Sequence, residues 1–200
     1  GCARCEASKG YGMVLIVPDK MAREKVHNLA AVGAEVITTR SDVAKGHPEY
    51  YQDMAARIAK ETPGAFYIDQ FNNAANPLAH EQTTGPEILE QMDGRVDAVV
   101  CGVGSGGTIT GLSRYFAEHS PSTEMVLADP EGSILVEYVK HGTLGEPGSW
   151  AVEGIGEDFI PGIADLSRVA AAYTITDKES FETARTLLRQ ESILAGSSAG

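Results

Sequence analysis

Positive charge is in short supply in this chain. Lys and Arg number 16 against 28 Asp and Glu, leaving a net charge of −12. So acidic a molecule repels nucleic acid and anionic membrane surfaces, and neither is expected as a partner. An anionic small ligand must then be captured locally, by backbone amides and hydroxyls. Cysteine is scarce as well: Cys2, Cys5 and Cys101 make no disulfide framework. Cys2 and Cys5 form a C-x-x-C, but with a single further cysteine and no nearby histidine a four-ligand zinc site cannot be completed, so no metal is expected. No apolar run nears the roughly 20 residues of a membrane span, and the N-terminus lacks the apolar stretch of a signal peptide. A cytoplasmic setting is the expectation. An initiator methionine is missing before Gly1, and the chain stops at Gly200 directly after a glycine and serine cluster; both ends read as cut.

What is present is alternation. Apolar strand-like runs at 13–17, 35–38, 65–68, 96–101, 125–128 and 171–175 alternate with helix-period segments at 21–32, 50–60, 86–92, 108–119 and 178–190, the pattern of βα units around a largely parallel sheet. Gly33 stops the first helix. The Asn- and Pro-rich stretch at 72–77 and the long 130–166 segment show little periodicity, and the second is long enough for a structureless loop to suggest function. Two α/β domains are expected, a smaller one over residues 1–73 and a larger one over 74–200.

The loop after the 96–101 run matches G-x-G-x-x-G through Gly102, Gly104 and Gly107 and opens a helix. One reading is a dinucleotide fingerprint, for Asp129 lies 22 residues beyond Gly107, where a ribose-binding acid belongs. A second is a monophosphate cup, in which consecutive N–H groups at a helix N-terminus meet one phosphate while Ser105 and Thr108 add hydroxyl donors. A tight turn with no ligand is a third. A Walker-type nucleotide loop is excluded because no lysine follows the glycines. At this point NAD and a monophosphate cofactor remain open.

Further strings narrow the choice: Gln70-Phe71-Asn72-Asn73-Ala74-Ala75-Asn76-Pro77-Leu78-Ala79-His80, Thr83-Thr84-Gly85-Pro86-Glu87-Ile88, Asp129-Pro130-Glu131-Gly132-Ser133, residues 153–161, and Gly196-Ser197-Ser198-Ala199-Gly200. In that order, and over nearly the whole chain from about Lys9, they resemble the cystathionine β-synthase and cysteine synthase family of fold-type II pyridoxal-phosphate (PLP) enzymes. The resemblance implies a tryptophan synthase β-like α/β fold, three layers with mostly parallel sheets, here incomplete at both ends. It implies PLP as cofactor, its phosphate held by Gly104, Ser105, Gly106, Gly107 and Thr108, and its pyridine nitrogen hydrogen-bonded by Ser198. A neutral hydroxyl at that nitrogen tempers the electron sink and favours β-elimination and replacement. Gln70 matches the glutamine that helps bind the substrate carboxylate, and Gly154, Ile155 and Gly156 match a loop lining the site. Glu131 is an acid near the mouth, available to the amino group of a second substrate, with a solvated loop glutamate as the competing reading.

The family's Schiff-base lysine and its Ser/Thr-Ser-Gly-Asn-Thr-Gly substrate loop have no counterpart here, and Lys9, Lys20, Lys25, Lys45, Lys60, Lys140 and Lys178 match no lysine motif of the family. These residues are therefore expected to be inactive by themselves, with no catalytic residue assigned. Two reactions share the machinery: condensation of L-serine with homocysteine to cystathionine, or of O-acetylserine with sulfide to cysteine. Residues 129–133 and 153–161 look more like cystathionine β-synthase, whereas Phe71 and Glu157 lean toward cysteine synthase or a bacterial variant. The resemblance also implies a homodimer acting on small amino-acid substrates. A non-catalytic PLP- or phosphate-binding fragment is the reading from another class.

Overall fold

The computed structural model describes residues 8–43 and 45–200, so the C-x-x-C of Cys2 and Cys5 lies outside the described residues. Two compact units divide the chain, one ending at Asp69 and the other running from Gln70 to Gly200. In the smaller unit, strands β1 (Val14–Pro18) and β2 (Glu35–Thr39) pair in parallel with Leu15 opposite Val36. Helix α1 (Arg23–Ala31) connects them and α2 (Tyr51–Glu61) follows. The apolar run at 65–68 forms no strand. Its Phe66 is 80% exposed, and apolar composition alone does not secure a place in a sheet, since strand formation depends on packing and pairing that are not local.

The larger unit opens with one helical rod: α3 (Ala75–Ala79), a π-helical turn (His80–Thr84) and α4 (Gly85–Gln91). The rod starts inside the Asn- and Pro-rich stretch, well before the helix expected over 86–92, because Pro77 sits in the first turn, where its missing N–H costs nothing. Beyond it lie β3 (Ala98–Cys101), α5 (Gly107–His119), β4 (Glu124–Pro130), α6 (Leu135–His141), β5 (Val169–Ile175), α7 (Asp177–Glu191) and a short 3₁₀ turn (Ser197–Ala199). Helix α6 is a second correction, since the 130–166 segment was expected to lack regular structure; at seven residues it is too short to display a period.

The sheet of this unit runs β3-β4-β5, parallel at both pairings, with Val100 opposite Val126 and Leu127 opposite Ala172. Central β4 is covered on both faces, and Met125, Val126 and Leu127 are all buried, as a strand flanked on both sides in a parallel sheet demands. Ile109, Leu112 and Phe116 line one face of α5 and close over the sheet in the same apolar cluster as Val103, Leu127, Ile134 and Leu135. Every strand of this sheet points its carboxyl end toward the loops at 102–106, 131–134 and 176, the crevice where ligands bind in α/β sheets.

Candidate functional site

The site grows from the end of β3. Strand β3 delivers the chain into the glycine loop, and α5 begins at Gly107 behind an N-cap, Gly106, at φ 84° and ψ −6°. That left-handed conformation is open to glycine and strained for other residues, and a Cβ on Gly106 would also stand 2.7 Å from the Cβ of Ala164. No side chain caps the helix, so the first N–H groups of α5 keep their donors free and the positive end of the helix dipole is uncovered. These groups line a cavity of about 180 Å³ formed by Gly102, Gly104, Ser105, Gly106, Gly107, Thr108, Ile109, Gly154 and Ile155.

Two hydroxyls are held in place around it. The side-chain amide of Asn76 donates to Ser105 Oγ at 2.9 Å and to the Gln70 carbonyl at 2.8 Å. With one lone pair of Ser105 so occupied, its proton is free to turn into the cavity. His80, in the π-helical turn, lies 3.2 Å from Thr108 Oγ1 through Nε2 and 3.0 Å from Thr84 Oγ1 through Nδ1. In the tautomer protonated at Nε2 the ring donates to Thr108 and leaves that hydroxyl's proton for a ligand. Asn76 and His80 stand in the strings noted above without an assigned part; only the fold brings them beside the loop.

A second cavity, of about 420 Å³, shares Gly102 and Ile155 with the first and is further lined by residues including Cys101, Asp129, Val152, Ser180 and Ser198. The structure thus gathers Gly104, Ser105, Gly106, Gly107, Thr108, Gly154 and Ile155 around the first cavity and places Ser198 on its neighbour. Gly156 stands just behind the wall, its N–H bonded to the Val103 carbonyl at 2.8 Å. Gln70 and Glu131 are exposed and line neither cavity. Burial pushes the Cys101 thiol up to about 11, so it is no ready nucleophile. Asp129 is fully buried, and neither carboxylate oxygen has a hydrogen-bond partner. Its pKa is raised to about 6 by burial, an effect that the nearby Ser133 hydroxyl and the Val136 and Leu135 amides offset only in part. A carboxylate so enclosed is poorly placed to grip an incoming ribose.

Neither cavity is lined by a lysine or an arginine among the described residues. The first is instead a cup of neutral donors at the N-terminus of a 13-residue helix, a donor set that suits one phosphate group. All 200 residues match the model of the pyridoxal-phosphate dependent enzyme family. The chain belongs to that family. Among its relatives it is 44% identical over 200 residues to a cystathionine beta-synthase of Oryctolagus cuniculus, covering all of this chain and 36% of that protein. It is 42% identical over 200 residues to one of Dictyostelium discoideum, of which it covers 40%. A cysteine synthase A of Escherichia coli is 39% identical over 196 residues, 97% of this chain and 60% of that protein. The chain therefore spans 36% to 60% of the length of these pyridoxal-phosphate enzymes. The family assigns the cofactor as pyridoxal phosphate and decides against the NAD reading of the glycine loop. It also carries the expected α/β fold of type II, which the parallel sheets fit.

Proposed function

We propose that residues 102–108 hold the phosphate of PLP and that Ser198 meets its pyridine nitrogen, in a chain whose chemistry belongs to β-replacement on serine-type amino acids. The observation that carries this reading is the pair of neighbouring cavities that share Gly102 and Ile155 in their walls, a small cup of free amides in one and a roomier space bearing Ser198 in the other. The amides at the start of α5 and the Ser105 and Thr108 hydroxyls bind the phosphate; Asn76 orients Ser105. When bound, PLP supplies an electron sink for negative charge at the substrate α-carbon. Ser198 offers that ring a neutral partner, and the apolar walls of Val152 and Ile155 keep water from its face. Gln70 is assigned to the substrate carboxylate, with Gly154, Ile155 and Gly156 as the lining loop, and Glu131 to the amino group of the second substrate; both side chains reach the site only by moving from their exposed positions.

No lysine lines either cavity among the described residues, which supports non-covalent binding here and 200 residues that do not turn over substrate by themselves. The reaction served is that of cystathionine β-synthase, L-serine with homocysteine. Support comes from relatives of that name at 44% and 42% identity and from residues 129–133 and 153–161. The 39% identity to cysteine synthase A favours O-acetylserine with sulfide as the second reading. A homodimer in the cytoplasm completes the proposal. No helix among the described residues is long and apolar enough to cross a membrane.

Titration of the chain with PLP, followed by visible absorbance, tests the reading. Saturable binding is expected, weakened roughly tenfold or more by Ser105→Ala, which removes one hydrogen bond to a charged group. Borohydride reduction and peptide mapping should find no pyridoxyl-lysine. A stoichiometric adduct on any of the seven lysines would contradict the non-covalent account.

A further inference from the structure

The wall facing the glycine loop is irregular backbone at residues 150–156, and irregular backbone keeps a fixed shape only where something holds it. Three ties do so. The Asp177 carboxylate accepts hydrogen bonds from the Ala151 N–H at 3.0 and 2.9 Å and from the Val152 N–H at 3.1 Å. The Trp150 indole N–H donates to the Ile155 carbonyl at 2.9 Å, closing the turn on itself. The Gly156 N–H donates to the Val103 carbonyl at 2.8 Å, inside the glycine loop. Between these ties the wall touches the loop directly. A Cβ on Gly104 would stand 2.5 Å from the Gly154 carbonyl oxygen, and one on Gly102 would stand 2.7 Å from Ile155 Cγ2.

Asp177 is the first residue of α7, where an acid ordinarily serves the helix end. Here that end has its own device: Thr176 and Glu179 form a reciprocal capping box. The Asp177 carboxylate is released from capping and spends its lone pairs on the wall. It lines neither cavity, so any effect it has on a ligand passes through residues 151–156.

We propose that Asp177 is a positioning residue for the phosphate site, pinning the 150–156 wall so that Gly154 and Ile155 stand at contact distance from the glycine loop. This rests on the reading of that cavity as the PLP phosphate site. Trp150, the sole tryptophan, packs over Gly156, whose Cβ would fall 2.8 Å from the indole. It reports both the state of the wall and, by energy transfer, the arrival of PLP.

The test is a fluorescence titration of the full chain with PLP, and with inorganic phosphate as competitor. Asp177→Ala should bind both ligands roughly tenfold more weakly than the wild-type chain, on losing charge-assisted bonds, and its unliganded Trp150 emission should shift to the red. Asp177→Asn keeps one carbonyl acceptor and should fall between, which carries the test if the alanine variant folds poorly. Thr176→Ala breaks the cap of the same helix without touching the wall, and should lower Tm while leaving both affinities and the emission unchanged. The role is overturned if Asp177→Ala binds both ligands as the wild type does. It is equally overturned if Thr176→Ala weakens binding as much for the same loss of Tm, since helix integrity would then account for everything. A wild-type chain that binds no PLP overturns the reading of the cavity and this role with it; unchanged binding in Asp177→Ala overturns the role alone.

Discussion

Gly106 and Asp129 show how much of this site is settled by single residues. Gly106 combines a φ of 84° with an Ala164 Cβ 2.7 Å from where its own would be, so Gly106→Ala meets both backbone strain and a clash. A cost of about 1–3 kcal/mol is expected, read as a lower urea midpoint, together with loss of PLP binding because the first N–H groups of α5 are re-aimed. Asp129 carries the opposite kind of tension, a carboxylate enclosed without a partner. Burial raises its pKa from the ordinary carboxylate value of about 3.8 to about 6 in the folded protein, so folding takes up a proton between those values. The stability this lends is complete below about pH 4 and is lost as pH climbs through 6, a swing of about 3 kcal/mol at most. Asp129→Asn should abolish that swing: between pH 4 and 7.5, urea unfolding should show the wild type losing more stability than the variant as pH rises. Equal slopes for the two proteins would contradict the buried, unpartnered state of Asp129.

At the scale of elements, helix α5 both builds the core and aims its N-terminus at the cavity. Phe116 is fully buried in the cluster beneath β4, and Phe116→Ala should cost about 3–5 kcal/mol by the cavity it leaves, measured by chemical unfolding. The elements legible in the sequence were those with a period or a punctuation mark: β3 and β4 as apolar runs, α5 behind its glycines, α1 ended by Gly33. The misses have physical reasons. Residues 65–68 carry strand-like composition, but a place in a sheet is decided by pairing across the fold, which is not a local property. Helix α6 is too short to show a repeat, and the rod at 75–91 hides its start behind prolines and asparagines that also suit loops. The donors of the cup at 104–108 were legible because backbone amides at a helix start depend on the turn alone. Asn76 and His80, 29 and 28 residues before their partners Ser105 and Thr108, were not, since only folding brings them there. Asp177 was hidden for the same reason, and its position at the head of α7 made helix capping the obvious account of it.

For the molecule as a whole, the acidic balance and the cup of neutral donors are two sides of one arrangement. Under the proposed reading, a chain of net charge −12 whose phosphate cavity has no lysine or arginine lining it among the described residues would rely on the dipole and amides of α5, whose effect is short-ranged and confined to the first turn. Affinity for PLP should accordingly vary little with salt compared with a site built on basic side chains, and a titration repeated at low and high ionic strength checks this. The central claim is that the phosphate group is what the glycine loop recognises. Side-by-side binding of PLP and of unphosphorylated pyridoxal to the full chain tests it most directly. The account predicts saturable PLP binding that inorganic phosphate displaces, with pyridoxal weaker by roughly a hundredfold, about 2.7 kcal/mol of phosphate recognition. Pyridoxal binding as tightly as PLP, or PLP binding indifferent to inorganic phosphate, would contradict it.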